Sequence, residues 1–68
     1  MDYLILGFQT ADIDSGCDAE RTADTLKEAK RKARYMLTEA YRRDSESDAV
    51  LVVVQIWKDG VVVWDRRA

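Results

Sequence analysis

Few side chains in this 68-residue sequence could do covalent chemistry. There is one cysteine, Cys17, and no histidine. Histidine is the commonest general base and the usual activator of a nucleophilic cysteine, so we interpret Cys17 as a buried or incidental thiol. One cysteine excludes an internal disulfide and, without histidine, a structural zinc site. The three glycines are isolated, which excludes a glycine-rich phosphate loop. We therefore expect no enzyme activity and no cofactor.

An acidic loop is the second candidate for chemistry. It carries Asp12, Asp14, Asp18 and Glu20. A calcium loop of the EF-hand type needs a glycine at position six and a bidentate Glu at position twelve. Counted from Asp12, Gly16 comes one position early and Ala23 occupies position twelve, so we expect no metal site. An alternative is an acidic surface that binds a basic protein by mimicking a phosphate backbone.

Charge is segregated along the chain although the formal net charge is only −2. Residues 1–20 carry −5, residues 21–43 carry +5 and residues 44–68 carry −2. A helical projection places basic side chains on one flank of the middle segment, with Tyr35 in solvent; this ridge contains Lys27, Lys30, Arg31, Arg34 and Arg42. The ridge is either a contact for phosphates or an acidic protein, or a solvated helix face. The sequence pI of about 4.9 argues against non-specific nucleic-acid binding.

One amphipathic helix is predicted to carry that ridge. Thr25 and Glu28 have the spacing of a capping box at its start. Apolar residues then recur at helical spacing through four turns, at Leu26, Ala29, Ala33, Met36, Leu37 and Ala40. Arg42 and Arg43 suit the negative end of the helix dipole, so we expect the helix to end there.

Three or four strands are predicted around the helix. Residues 3–9 are almost continuously apolar, which is typical of a central strand, and residues 17–23 alternate weakly. Residues 48–58 are rich in valine, and Asp59-Gly60 predicts a type I′ hairpin with the strand that follows. A two-residue turn sets the pairing, so we expect Lys58 opposite Val61 and Trp57 opposite Val62. The same pairing places Ile56 opposite Val63 and Gln55 opposite Trp64.

Alternation along these strands predicts two apolar faces, of which a single helix can cover one. We assign to the helix side Val50, Val52, Val54, Ile56, Val61, Val63, Leu4, Leu6 and Phe8. We assign to the uncovered side, as a partner or dimer face, Trp57, Trp64, Val62, Leu51, Val53, Tyr3 and Ile5. Large exposed apolar patches usually mark interaction surfaces, and Trp and Tyr are typical anchors. Three arrangements would bury this face: a homodimer, a complex with a foreign partner, or coverage by the chain's own loop or tail.

The pattern as a whole resembles known small proteins of phages and mobile elements. The strand, the acidic loop, the T-L-K-E-A-K-R-K-A-R helix, the K-D-G hairpin and the V-W-D strand resemble anti-CRISPR proteins, which block bacterial defence complexes by binding them. The T-L-x-E-A opening of the helix is also similar to antitoxins of the HicB type, although the glycine-containing spacing before it and a DNA-binding tail are absent. The first resemblance implies an inhibitor of a host complex; neither assigns individual residues.

The sequence therefore predicts one α+β domain over residues 1–68, a twisted antiparallel sheet of three to four strands with one helix on one face. We expect a non-enzymatic protein-binding module, an inhibitor of a host defence complex that acts by occlusion. The alternatives are a homodimeric nucleic-acid-associated or antitoxin-like regulator that uses the basic ridge, and a structural dimer in a phage assembly. The unpaired cysteine and the absence of a signal peptide or a long apolar run favour the cytoplasm and no membrane contact.

Overall fold

The computed structural model describes residues 2–10, 16–44 and 50–68, which form an α+β fold. One antiparallel sheet has the strand order β2-β1-β3-β4. The strands are β1 (Tyr3–Phe8), β2 (Ala19–Ala23), β3 (Val53–Lys58) and β4 (Val61–Arg67), and the helices are α1 (Leu26–Met36) and α2 (Glu39–Asp44). The predicted fold class is confirmed, with two helices in place of one continuous helix.

Strand β1 lies inside the sheet and pairs with β2 on one side and β3 on the other. Its nearly unbroken apolar sequence gives both faces of the strand apolar side chains, because neighbouring residues point to opposite faces of a sheet. The expected pairing of the first strand with a hairpin strand is confirmed. The weakly alternating segment forms the short edge strand β2, whose alanines, Ala19 and Ala23, lie on the helix side of the sheet.

The helix begins as predicted but ends early. The Thr25 hydroxyl accepts a hydrogen bond from the Glu28 amide at 3.1 Å, while the Glu28 carboxylate lies 3.4 Å from Lys32. Helix α1 ends at Met36, and Leu37 and Thr38 separate it from α2. The Thr38 hydroxyl donates to the Tyr35 carbonyl at 2.6 Å and accepts from the Tyr41 amide at 3.4 Å. These local bonds compete with the helical ladder, so the chain turns and restarts as α2.

The hairpin turn is the predicted one, but the pairing beyond it is not. Asp59 and Gly60 both have positive φ, at 53° and 81°, as a type I′ turn requires. The pairs Lys58–Val61 and Trp57–Val62 form as expected. A β-bulge at Val63 then shifts the register by one residue.

Because of that bulge, Ile56 pairs with Trp64, and Gln55 pairs with Asp65. The predicted pairs Ile56–Val63 and Gln55–Trp64 are therefore wrong. A bulge inserts one unpaired residue into one strand, and side chains beyond it change face. The consequence is that Trp64 lies on the helix side of the sheet, where it packs against the core.

The core lies between α1 and one face of the sheet. Its buried members are Ile5, Ala23, Ala29, Ala33, Met36, Leu51, Val54 and Ile56. The small Ala29 and Ala33 let the helix approach the sheet closely, and both are fully buried. The assignment of Val54 and Ile56 to the helix side is confirmed.

The two faces of strand β1 are exchanged relative to the prediction. Ile5 is fully buried in the core and Tyr3 packs against it, whereas both were assigned to the uncovered side. Leu4, Leu6 and Phe8 point to the other face, opposite Trp57, Gln55 and Val53 respectively. Both alternating sets of β1 are apolar, so hydrophobic pattern alone does not distinguish them.

The segment before β3 also differs from the prediction. Leu51 is buried in the helix-side core, although it was assigned to the uncovered face. Val50 is 53% exposed, and Val63, at the bulge, is 45% exposed, so neither lies in the core. Val61 shares the helix side by register but is 61% exposed. The strict alternation used in the prediction fails because residues 50–52 precede the regular strand.

Candidate functional site

One face of the sheet is apolar and is not covered by either described helix. We call it the open face; it consists of Leu4, Leu6, Phe8, Val53, Trp57 and Val62, which the register places side by side. Helix α1 and Tyr41 of α2 pack on the opposite side, against the core. The prediction of a second apolar face is therefore met within the described residues, with a different membership.

Accessibility is unequal along the open face. Phe8 and Val53, at one end, are only 4% and 3% exposed. Leu4 and Trp57 are half-buried and Val62 is 38% exposed, so the accessible end lies next to the hairpin. A shallow depression there is lined by Leu4, Thr22 and Trp57, with Asp2 and Asp59 among the lining residues. The arrangement is an apolar floor with carboxylates at its rim.

The Trp57 indole is held in place by a neighbour on its own strand. Its Nε1–H donates to the Gln55 side-chain oxygen at 3.1 Å, and Gln55 is itself only 7% exposed. A buried amide without a partner would be costly, so this bond both satisfies Gln55 and orients the ring. Trp57 thus presents a fixed apolar surface, which is the property of a binding anchor.

The structure divides the predicted partner face between the two sides of the sheet. Trp57, Val62 and Val53 lie on the open face. The other four residues assigned to it, Tyr3, Ile5, Leu51 and Trp64, lie on the helix side and pack in or against the core. Leu4, Leu6 and Phe8, which were assigned to the helix side, lie on the open face instead. Gly7 was the available signal, because a glycine in a strand often marks a close approach of the packed face.

The basic ridge is present on α1 in shortened form. The basic flank consists of Lys27, Lys30, Arg31 and Arg34, whose side chains make no hydrogen bond or ion pair with any described residue. Three of them, with Thr25 and Glu28, line a shallow groove along the helix. Lys32, on the other flank, is different, because it pairs with Glu28 and donates to the Thr22 carbonyl. The basic flank is therefore a mainly positive surface, with Glu28 as the one acidic residue that lines its groove.

Tyr35 and Arg42 do not extend that flank as predicted. Arg42 lies on α2, and the break at Thr38 ends the helical phase that was to align it with α1. Tyr35 is 42% exposed, but its hydroxyl donates to the Asp44 carboxylate and its ring lies 5.7 Å from that of Tyr41, edge to face. The bond to Asp44 is the main reason that the pKa of Tyr35 is raised. Tyr35 therefore joins the two helices.

The acidic loop lies partly outside the described residues, as do its members Asp12 and Asp14. Asp18 accepts a hydrogen bond from the Gln9 amide at 2.7 Å, and Glu20 is exposed on β2. In the described part of the chain, no three metal-ligating side chains cluster. Cys17 is free and exposed, so it is not the buried thiol that was one of the two interpretations.

No protein-family model, curated protein or solved structure matches this chain. Across the ranges that the structure describes, none of the helices has the length and apolarity needed to cross a bilayer. Within the described residues, the open face and the basic flank are two surfaces that remain accessible for binding.

Proposed function

We propose that this chain is a non-catalytic binding protein whose open face docks onto a larger protein complex. The accessible end of that face, formed by Leu4, Trp57 and Val62, is the observation that supports the proposal. Trp is the residue type most enriched at the energetic centres of interfaces, and a ring already fixed by Gln55 loses little freedom on binding.

The charges at the rim of the open face support a partner with basic side chains. Asp2 and Asp59 lie at the depression, and Glu20 and Asp65 lie on the same face by register. Arg67 is the one cation placed there by the same pairing. An apolar centre with a mainly acidic rim fits a protein surface that has an apolar patch among basic side chains. A complex that binds nucleic acid presents Lys and Arg to the phosphates, so we propose that this chain occludes such a surface on a bacterial defence complex.

A binding experiment with matched variants tests this function. Wild type, Trp57→Lys and Arg31→Glu are immobilised and exposed to bacterial lysates that contain RNA-guided defence complexes, and the retained proteins are identified. We expect one complex to be retained by wild type and Arg31→Glu and lost with Trp57→Lys. The purified complex should then lose target binding when wild-type chain is added. Equal retention by all three variants, or retained target binding, would contradict the proposal.

The basic flank supports a second candidate, a regulator that contacts nucleic-acid phosphates. Its four cations lack partners among the described residues, and an α-helix with a row of such cations can follow a phosphate backbone. The test is binding of a fluorescent DNA duplex at several salt concentrations, with Lys27→Glu/Arg31→Glu as the variant. Salt-dependent binding that this variant abolishes would favour the regulator; no binding by wild type at low salt would exclude it for duplex DNA.

A further inference from the structure

The two edges of the sheet differ in how their backbones are protected. An edge strand presents unpaired N–H and C=O groups that can pair with another strand, and natural proteins often block them with lysine or arginine side chains. Strand β2 is blocked in this way. The Thr22 carbonyl accepts from Lys32 at 2.7 Å, and the Glu20 carbonyl accepts from Arg21 at 2.7 Å. Carbonyls two residues apart lie on the same side of a strand, so these bonds occupy one edge.

Strand β4 forms the opposite edge and lacks such protection. Among the residues that the structure describes, no side chain donates to or accepts from its backbone. The Ala68 amide donates to the Val52 carbonyl at 2.8 Å. This bond shows that the backbone groups of Ala68 point toward the β3 side of the strand. The backbone groups of successive residues point to alternate edges of a strand. The backbones of Trp64 and Arg66 therefore also bond to β3, and the backbone N–H and C=O groups of Asp65 and Arg67 point away from the sheet.

The bulge limits where another strand can pair. Regular pairing begins at Trp64, since Val63 is the inserted residue. The regular part of this edge, residues 64–68, is what we call the edge segment. On it, Asp65 and Arg67 have opposite charges, lie two residues apart and share the open face. An antiparallel copy of the same segment, centred on Arg66, would place each Asp65 opposite the partner's Arg67.

We propose that the edge segment pairs with the edge segment of a second copy of this chain, joining two four-stranded sheets into one. The pairing would be two-fold symmetric and would contain two identical Asp65–Arg67 ion pairs. With one blocked and one open edge in each chain, the assembly closes at two copies and cannot grow into a fibre. The open faces of both copies would then form one continuous surface that stays available to a partner.

This register predicts an unfavourable contact at Arg66. In it, the two Arg66 side chains face each other on the helix side of the sheet, where like charges oppose pairing. Replacing Arg66 with threonine should therefore strengthen the dimer, because threonine favours strands and removes the repulsion. Replacing Arg67 with aspartate should weaken the dimer, although both changes make the same strand less positive.

Sedimentation equilibrium over a wide concentration range tests the proposal. We expect a dimer whose dissociation constant rises about tenfold with Arg67→Asp or Asp65→Arg, as loss of two surface ion pairs implies, and recovers in the double swap. Arg66→Thr should lower the dissociation constant. Glu20→Arg, on the blocked edge of the same face, is the control and should leave it unchanged. Circular dichroism confirms that each variant is folded.

Hydrogen exchange followed by NMR locates the contact independently of any variant. The Asp65 and Arg67 amides should become protected as the concentration rises, because pairing uses their outward N–H groups. A monomer at every concentration with rapid exchange at both amides would overturn the proposal. A dimer that tolerates Arg67→Asp but is lost with Trp57→Lys would also overturn it, since that dimer would form through the open face. Loss of partner binding with an intact dimer would concern only the proposed function.

Discussion

Gly7 lies beneath two bulky side chains that close the core over β1. A Cβ atom added to it would lie 2.7 Å from Leu51 Cδ1 and 3.2 Å from Met36 Cε. Carbon atoms in contact normally stay near 3.5–4.0 Å, so a methyl group fits only if the Leu51 and Met36 side chains move. The single missing side chain is what lets Leu51 reach the core from a segment outside the regular strands.

Gly7→Ala should therefore destabilise the fold by about 1–3 kcal/mol through overpacking. The free energy of unfolding in urea measures this effect. Leu51→Ala removes the contacting side chain, so the double variant should be less destabilised than the sum of the two single variants. Strictly additive effects would show that Leu51 does not restrict position 7.

Tyr35 is the one described group for which the structure gives a clear pKa shift. Its pKa is raised above the ordinary value of 10.0, first because the hydroxyl donates to Asp44, a bond that the phenolate would lose. The folded chain therefore holds this proton to higher pH than the unfolded chain does. The corresponding stabilisation is present below pH 10 and is lost as the pH rises through the folded-state pKa.

Asp44→Asn should lower the pKa of Tyr35 toward its ordinary value, because it replaces the carboxylate acceptor and removes its negative charge. NMR titration of the Tyr35 ring carbon that bears the hydroxyl measures this, with Tyr35→Phe used to assign the signal. An unchanged titration in Asp44→Asn would mean that the hydrogen bond to Asp44 is not maintained in solution.

At the scale of elements, the hairpin shows that local sequence determines the turn but not the pairing of the strands beyond it. Asp59-Gly60 forms the turn that its sequence predicts, yet the bulge at Val63 decides which face Trp64 occupies. An apolar Trp64 on the helix side adds to the core, whereas the regular register would leave it beside Trp57 in water. Burial of a large aromatic ring contributes more than one regular ladder pair, and we take this as the reason for the bulge.

Deletion of Val63 tests that explanation. Without Val63, a regular hairpin with the same turn would retain the pairs Ile56–Trp64 and Gln55–Asp65, in the present numbering. We expect the deletion variant to fold, with nuclear Overhauser contacts between Ile56 and Trp64 preserved. Deletion of Gln55, in the strand that has no bulge, is the control and should prevent folding. Loss of the Ile56–Trp64 contacts in the Val63 deletion would contradict the assignment of Val63 as the inserted residue.

At the scale of the whole molecule, the described residues form one sheet with two apolar faces and with helices on one side only. Ile5 is fully buried beneath α1, while its neighbour Leu4 is only half-buried on the open face. Both are branched aliphatic residues in the same central strand. Comparing the effects of the same substitution at Ile5 and at Leu4 on the free energy of unfolding therefore tests which face the helices cover.

Ile5→Asn should cost more than about 3 kcal/mol, because it leaves a cavity and buries an amide without a partner. Leu4→Asn should cost about 1 kcal/mol, since the new amide still reaches water. Urea unfolding of the two variants, compared with wild type, gives both values. Equal costs, or a larger cost for Leu4→Asn, would show that the open face is covered in the free chain.

Sequence alone determined the elements of this protein that local chemistry controls. The cap at Thr25, the apolar stripe of α1 and the Asp59-Gly60 turn follow from spacing and backbone preference, and they suffice for the α+β class. Tertiary structure decided which side of each strand faces the helix. In β1 both alternating sets are apolar, so packing decided between them: Gly7, which has no side chain, leaves room on the helix side for Leu51 and Met36. In β4 the bulge turned Trp64 to the core, and the open face therefore consists of Leu4, Leu6, Phe8, Val53, Trp57 and Val62 instead of the set that simple alternation predicts.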